Sequence, residues 1–139
     1  MIADVMLDTN IVVYAASKAP EDAAKAARSL DLIRGGHFGI SGQILQEFYV
    51  TATRKIRVPL SHDEALDWIE QLEELPCIPV DQSLVFQGAE IAHRNKISYW
   101  DGAIIAAAER LLATTLYTED LSHGQLYGSV RAVNPFLEH

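Results

Sequence analysis

Four carboxylates stand where chemistry is possible. Asp8 closes the apolar run Val5 to Leu7 and is followed by Thr9 and Asn10 before Ile11-Val12-Val13 turns apolar again. A buried strand that ends on a carboxylate and passes straight into a helix is the simplest local reading. Glu47, Asp101 and Asp120 occupy comparable settings: a helix after a second strand, the first turn of an alanine-rich helix, and the residues just past a later strand. Gathered carboxylates repel, by on the order of 4 kcal/mol for two unit charges at ~4 Å and an effective dielectric of 20. Raised pKa values or bound cations relieve that repulsion. An oxygen-only ligand set selects a hard ion, Mg2+ or Mn2+. The five histidines lack the paired spacing of zinc sites. Magnesium held by few carboxylates keeps several waters, and such a site suits phosphodiester hydrolysis.

The elements that must position these acids follow from patterning. After the first strand, Ile11 to Ala16 reads as a short helix, and Pro20 opens a second that Gly35-Gly36 stops. Phe38 to Ile40 is a weak strand signal. Ser41 is a good N-cap for a helix from Gly42 to about Lys55, with Ile44, Leu45, Phe48 and Ala52 as its apolar stripe and Glu47 on the flank of that stripe. Ser61 and Glu64 form a capping box. Cys77 to Val80 reads as a short strand, placed at an edge because Pro79 cannot donate to a ladder. Asp81 caps a helix to Asn95, and Tyr99 opens another with Ile104, Ile105, Ala108, Leu111 and Leu112 on one face. Thr115 to Thr118 and Val130 to Val133 are the last two strands.

Strands alternating with helices predict a three-layer α/β/α sandwich on a mostly parallel sheet of about five strands. Right-handed crossovers then bring every strand end and every following helix start to one edge, where such sheets bind ligands. All four acids are therefore expected at that edge, within reach of one another if the first and fourth strands are neighbours.

The 139 residues fit one domain, expected over 1–136, with Leu137-Glu138-His139 resembling a purification-tag remnant. No apolar run approaches the roughly 20 residues of a membrane span. No basic region precedes the short apolar segment at the N-terminus, where Asp4 and Asp8 stand instead, which argues against a signal peptide. Cys77 is the only cysteine, which excludes an intrachain disulfide and suits a cytoplasmic location. A net charge of −8 argues against binding nucleic acid unless the acids hold cations.

Each residue also has an ordinary reading. Alone, Asp101 is an N-cap, Asp120 a turn residue and Glu47 a solvated helix position. Thr9, Asn10 and Thr118 are expected to cap locally or to hold the acids. Tyr99 and Trp100 are expected in the core, with base stacking as their other use. Arg54, Lys55 and Arg57 either grip phosphates or complement a helix C-terminus. Cys77 reads as an inert core residue.

Taken together, Leu7-Asp8-Thr9-Asn10, Glu47, Tyr99-Trp100-Asp101 with Ala103-Ile104-Ile105-Ala106, and Tyr117-Thr118-Glu119-Asp120 with Asn134-Pro135-Phe136 resemble the PIN-domain ribonucleases, and among them VapC-type toxins of toxin–antitoxin pairs. The resemblance spans Met1 to Phe136. It implies a Mg2+- or Mn2+-dependent endonuclease acting on RNA, with Asp8, Glu47, Asp101 and Asp120 as the metal-binding acids and Thr118 beside them. It also implies a homodimer and a cognate antitoxin whose tail enters the acidic groove. One departure is Gly102, where Ala is commoner, which is expected to loosen the helix start. Two other readings compete: a phosphatase with Asp8 as nucleophile, disfavoured because Asn10 stands where a second Asp is wanted, and a non-catalytic module whose acidic groove receives a basic peptide.

Overall fold

The computed structural model describes residues 2–137, so Met1 and two of the three expected tag residues, 138 and 139, lie outside it. The order of elements is β1 (Val5–Leu7), α1 (Thr9–Ala16), α2 (Ala23–Arg34), β2 (Phe38–Ser41), α3 (Gly42–Val50), α4 (His62–Gln71), β3 (Cys77–Ile78), α5 (Gln82–Asn95), α6 (Tyr99–Arg110), β4 (Thr115–Tyr117), β5 (Leu126–Tyr127) and β6 (Val130–Val133). The strands form one sheet in the order β3-β2-β1-β4-β6-β5. All pairings are parallel except the final β5–β6 ribbon. The mostly parallel α/β expectation holds, with one strand more than the five expected. Leu126-Tyr127 is too short to show alternation, and the turn at Gly128, whose φ is +61°, folds it back onto β6.

Strand alternation divides the core. Met6 and Leu116 join the larger cluster with Ile44, Phe48, Leu84 and Ile105 from α3, α5 and α6. Leu7 and Tyr117 face the other way and meet Leu32 and Ile33 of α2. The sheet is thus covered on both faces, which is why β1 reads as a continuous apolar run. β1 and β4 are direct neighbours, in register from Val5–Thr115 to Leu7–Tyr117. The chain winds outward from β1 to β2 and β3, then returns to lay β4 on the other flank of β1. That reversal is the switch point at which open α/β sheets form a crevice.

Local chemistry sets the helix starts. Asp8 itself caps α1, which starts at Thr9, two residues before the expected Ile11, by accepting the Thr9 N–H at 2.6 Å. The capping box of α4 is present with both reciprocal bonds. The helix expected to run from Gly42 to Lys55 keeps its length but changes form: Thr51 to Lys55 is a wider π turn, closed by the Ile56 N–H on the Thr51 carbonyl. Asp101 does not cap α6. Ser98 does, its hydroxyl accepting the Asp101 N–H at 3.1 Å.

Gly102 corrects a second expectation. A Cβ there would strike the Gly88 carbonyl and lie 2.8 Å from Cβ of Ala92. At Gly88 a Cβ would stand 2.8 Å from Cα of Ala103. The two glycines permit α5 and α6 to touch backbone to backbone, so Gly102 tightens the helix pair rather than loosening it.

Candidate active site

The β1–β4 edge delivers the acids as the topology requires. Asp8 stands at the end of β1 and is only 3 % exposed. Its second carboxylate oxygen accepts the hydroxyl of Thr118, which is fully buried just past β4, at 2.7 Å. The Thr118 oxygen in turn accepts the Asp120 N–H at 3.1 Å, so one buried hydroxyl fixes a side chain on one strand and a backbone on the next. Asn10, in the first turn of α1, donates its amide to Oδ2 of Asp120 at 2.9 Å. Thr9 donates its hydroxyl to Oε1 of Glu47 at 2.7 Å. Thr9, Asn10 and Thr118 therefore each grip one acid.

Asp101 is bound into the same field. Burial raises its pKa, and the charges of Asp120 and Glu47 raise it further, against the Ser98 hydrogen bond. For Asp8, burial is the largest effect; the bonds from Thr118 and Thr9 oppose it, the charges of Asp120 and Asp101 add to it, and the carboxyl is pushed up to about 7. Residues 8, 47, 101 and 120 thus feel one another across a single crevice, on the same side of the molecule.

Among the described residues, no three His, Cys, Asp or Glu side chains form a ready-made metal cage. The donor set fits a hard ion that keeps most of its water, for which one or two carboxylates suffice. The buried Oδ1 of Asn10 points the same way, since it has no hydrogen-bond partner in a crevice otherwise well satisfied and is free to accept from a water.

Four residues to which the sequence reading gave no role, Gln43, Tyr14, Lys25 and Glu119, also brace the crevice. Gln43 is 6 % exposed and donates to both Oε2 of Glu47 at 3.2 Å and the Trp100 carbonyl at 3.1 Å, tying α3 to α6 across the crevice. Its position four residues before Glu47 is the available signal. Glu119 turns away from the acids, accepting the Tyr14 hydroxyl at 2.5 Å and the Lys25 ammonium at 2.9 Å. Lys25 also lies over the rings of Tyr14 and Phe136, 4.8 and 5.2 Å from their centroids. This clamp neutralises a fifth acid and fixes the segment that carries Asp120. Nothing in the spacing of residues 14, 25 and 119 announces it.

The crevice opens into a cavity of about 710 Å3 whose lining includes Thr9, Asn10, Gln43, Glu47 and Asp120 together with Val50, Lys55, Ile56 and Trp100. Trp100 corrects the core assignment: it is 62 % exposed, while Tyr99 is partly buried against it. Arg57 does not face the cavity; it forms a two-pronged pair with Glu21 on the surface. Cys77 is partly buried, and burial raises its thiol pKa. No helix among the described residues is long and apolar enough to cross a membrane.

Comparison with known proteins supports the fold. The sequence model of the PIN domain family matches residues 5–128. No curated protein matches significantly. Among solved structures, the chain resembles VapC20 of Mycobacterium tuberculosis, a sarcin-ricin loop cleaving toxin, with 17 % identity, 84 % of this chain and 89 % of that one covered, and a TM-score of 0.68. It resembles a chain of a toxin–antitoxin complex from Klebsiella pneumoniae at 16 % identity, covering 95 % and 98 %, with a TM-score of 0.70. VapBC2 from Rickettsia felis, bound to a promoter DNA fragment, contains a chain with 22 % identity, coverage of 95 % and 97 %, and a TM-score of 0.62. At these identities the likeness is one of fold.

Proposed function

The chain belongs to the PIN domain family, and from that premise we propose that it is a Mg2+- or Mn2+-dependent endoribonuclease that hydrolyses RNA phosphodiesters as the toxin of a toxin–antitoxin pair. One observation carries the reading. Asp8 is a buried carboxylate whose own fold pushes its pKa to about 7 while Asp101 and Asp120 press charge upon it. A stability-driven fold avoids such an arrangement, and perturbed acids in a cleft favour a functional site.

Of Asp8, Glu47, Asp101 and Asp120, one or two would hold the ion directly and the others through its waters. When bound, it supplies an activated water and a counter-charge for the oxygen that leaves phosphorus. The chain's part is to orient the acids. Thr118 holds Asp8, Thr9 and Gln43 hold Glu47, Asn10 holds Asp120, and the Ser98 cap places Asp101. Asn10 is occupied with Asp120 and has no acidic proton to give, which removes the second acid that an aspartyl phosphatase needs.

The test is RNA turnover by the purified chain, with Mg2+, with EDTA, and after Asp8→Asn. Cleavage that needs Mg2+ and falls by at least a hundredfold in D8N is expected. Cleavage that survives both treatments would sink the reading.

A protein partner is proposed on a separate ground: solved structures of similar fold are toxin–antitoxin complexes. An antitoxin segment entering this acidic cavity would carry basic groups, and a homodimer is the expected assembly. Should the partner-free chain bind a basic peptide yet turn over no RNA at any metal concentration, the groove is a binding module instead.

A further inference from the structure

We propose that Trp100 is a nucleobase-stacking wall of the cavity, with Lys55, which lines the same cavity, as a phosphate contact, so that a base of the bound strand is held by its face. The inference rests on the ribonuclease reading and concerns residues outside the four acids.

The placement of Trp100 has no structural explanation. A tryptophan that is 62 % exposed leaves apolar surface in water, at about 25 cal/mol per Å2 of apolar area that burial would have recovered. Its ring meets Tyr99 edge to face, with centroids 5.1 Å apart and an interplanar angle of 76°. That contact braces the indole by its edge. The indole lines the same cavity as Glu47 and Asp120. Its backbone carbonyl is held by Gln43, the side chain that also holds Glu47, so the wall and one acid are fixed by a single amide.

Lys55 is the one Lys or Arg lining this cavity, and among the described residues it forms no salt bridge. It closes the π turn, a helix form that often appears at functional sites. A cavity lined by acids, one cation and one exposed aromatic ring matches a nucleotide strand, phosphate on the cation and base on the ring. Stacking needs an unpaired base, because a base inside a duplex already has both faces covered.

The experiment uses the full chain with Trp68→Phe, which leaves Trp100 as its only indole, and Asp8→Asn to stop cleavage. The probes are a mixed-sequence single-stranded RNA 12-mer, an abasic ribose-phosphate 12-mer, and hexa-arginine. RNA is expected to quench the Trp100 fluorescence, and the abasic strand to bind without quenching. On the Asp8→Asn background, Trp100→Ala should weaken RNA binding about tenfold, with Trp100→Phe within threefold of the parent, since stacking tolerates any flat ring. Lys55→Ala should weaken both RNA and the abasic strand. An RNA affinity for W100A within twofold of the parent, or equal quenching by the abasic strand, overturns the stacking wall while leaving the ribonuclease reading intact. Quenching by hexa-arginine with none by RNA assigns the ring to a basic partner and also overturns it. No RNA binding by the D8N parent, together with no RNA cleavage by the chain that keeps Asp8, overturns both readings.

Discussion

Asp8 couples function to stability with a sign that can be worked out. Its folded pKa of about 7 lies above the ordinary 3.8. Between those values the folded chain holds a proton at Asp8 that the unfolded chain has lost, so stability falls as pH rises through that window. Fully developed above pH 7, the cost is on the order of 4 kcal/mol at 1.36 kcal/mol per pKa unit. In EDTA, the wild-type melting temperature should fall from pH 5 to pH 8, whereas D8N should show a flatter profile and the higher melting point at pH 8. Millimolar Mg2+ should restore stability to the wild type at pH 8 by mass action and do less for D8N. A wild-type profile as flat as that of D8N would show that Asp8 does not carry this cost. Thr118 gives a companion test. Its buried hydroxyl serves Asp8 and Asp120 at once, so Thr118→Val should cost roughly 1–3 kcal/mol in urea unfolding. It should also shift the pH profile of Asp8 upward, because the bond that favours the carboxylate is gone.

At the scale of elements, α5 and α6 form the tightest seam in the molecule. Gly102→Ala places a methyl against the Gly88 carbonyl and the Ala92 backbone. Overpacking of this kind costs typically 1–3 kcal/mol, and because Asp101 is the adjacent residue, cleavage should fall along with stability. The clamp around Glu119 gives the opposite pattern. Lys25→Met keeps the chain's apolar stem but leaves Glu119 without its cation. The salt bridge is half exposed, so the stability change should stay below about 1 kcal/mol. RNA turnover should fall more than stability if the clamp steadies Asp120. Equal, small effects on both would reduce it to a surface contact.

Legibility from the sequence followed the range of each interaction. The strands β1 and β4, the capping box at Ser61 and the N-caps at Ser41 and Asp81 depend on residues a few positions apart, and all are present as expected. The collection of residues 8, 47, 101 and 120 at one edge was readable because parallel topology converts strand order into position. What failed was set by neighbours distant in sequence. Gly102 looked like a weak helix residue until Gly88 and Ala92 were seen against it. Trp100 looked like core because its exposure depends on where the start of α6 lies relative to the cavity. Asp101 as N-cap was a local error: Ser98, three residues earlier, offers the hydroxyl that caps the same turn.

For the whole molecule, the relevant feature is the position of β4. It pairs with both β1 and β6, so the strand that completes the crevice comes from the last quarter of the chain. A polypeptide ending at residue 114 retains Asp8, Glu47 and Asp101 but lacks Thr118 and Asp120, and it leaves the flank of β1 bare. Such a fragment should show no RNA cleavage and should aggregate through the open strand edge. During translation the crevice therefore stays incomplete until β4 has been made, and whatever it holds or acts on is beyond its reach until then.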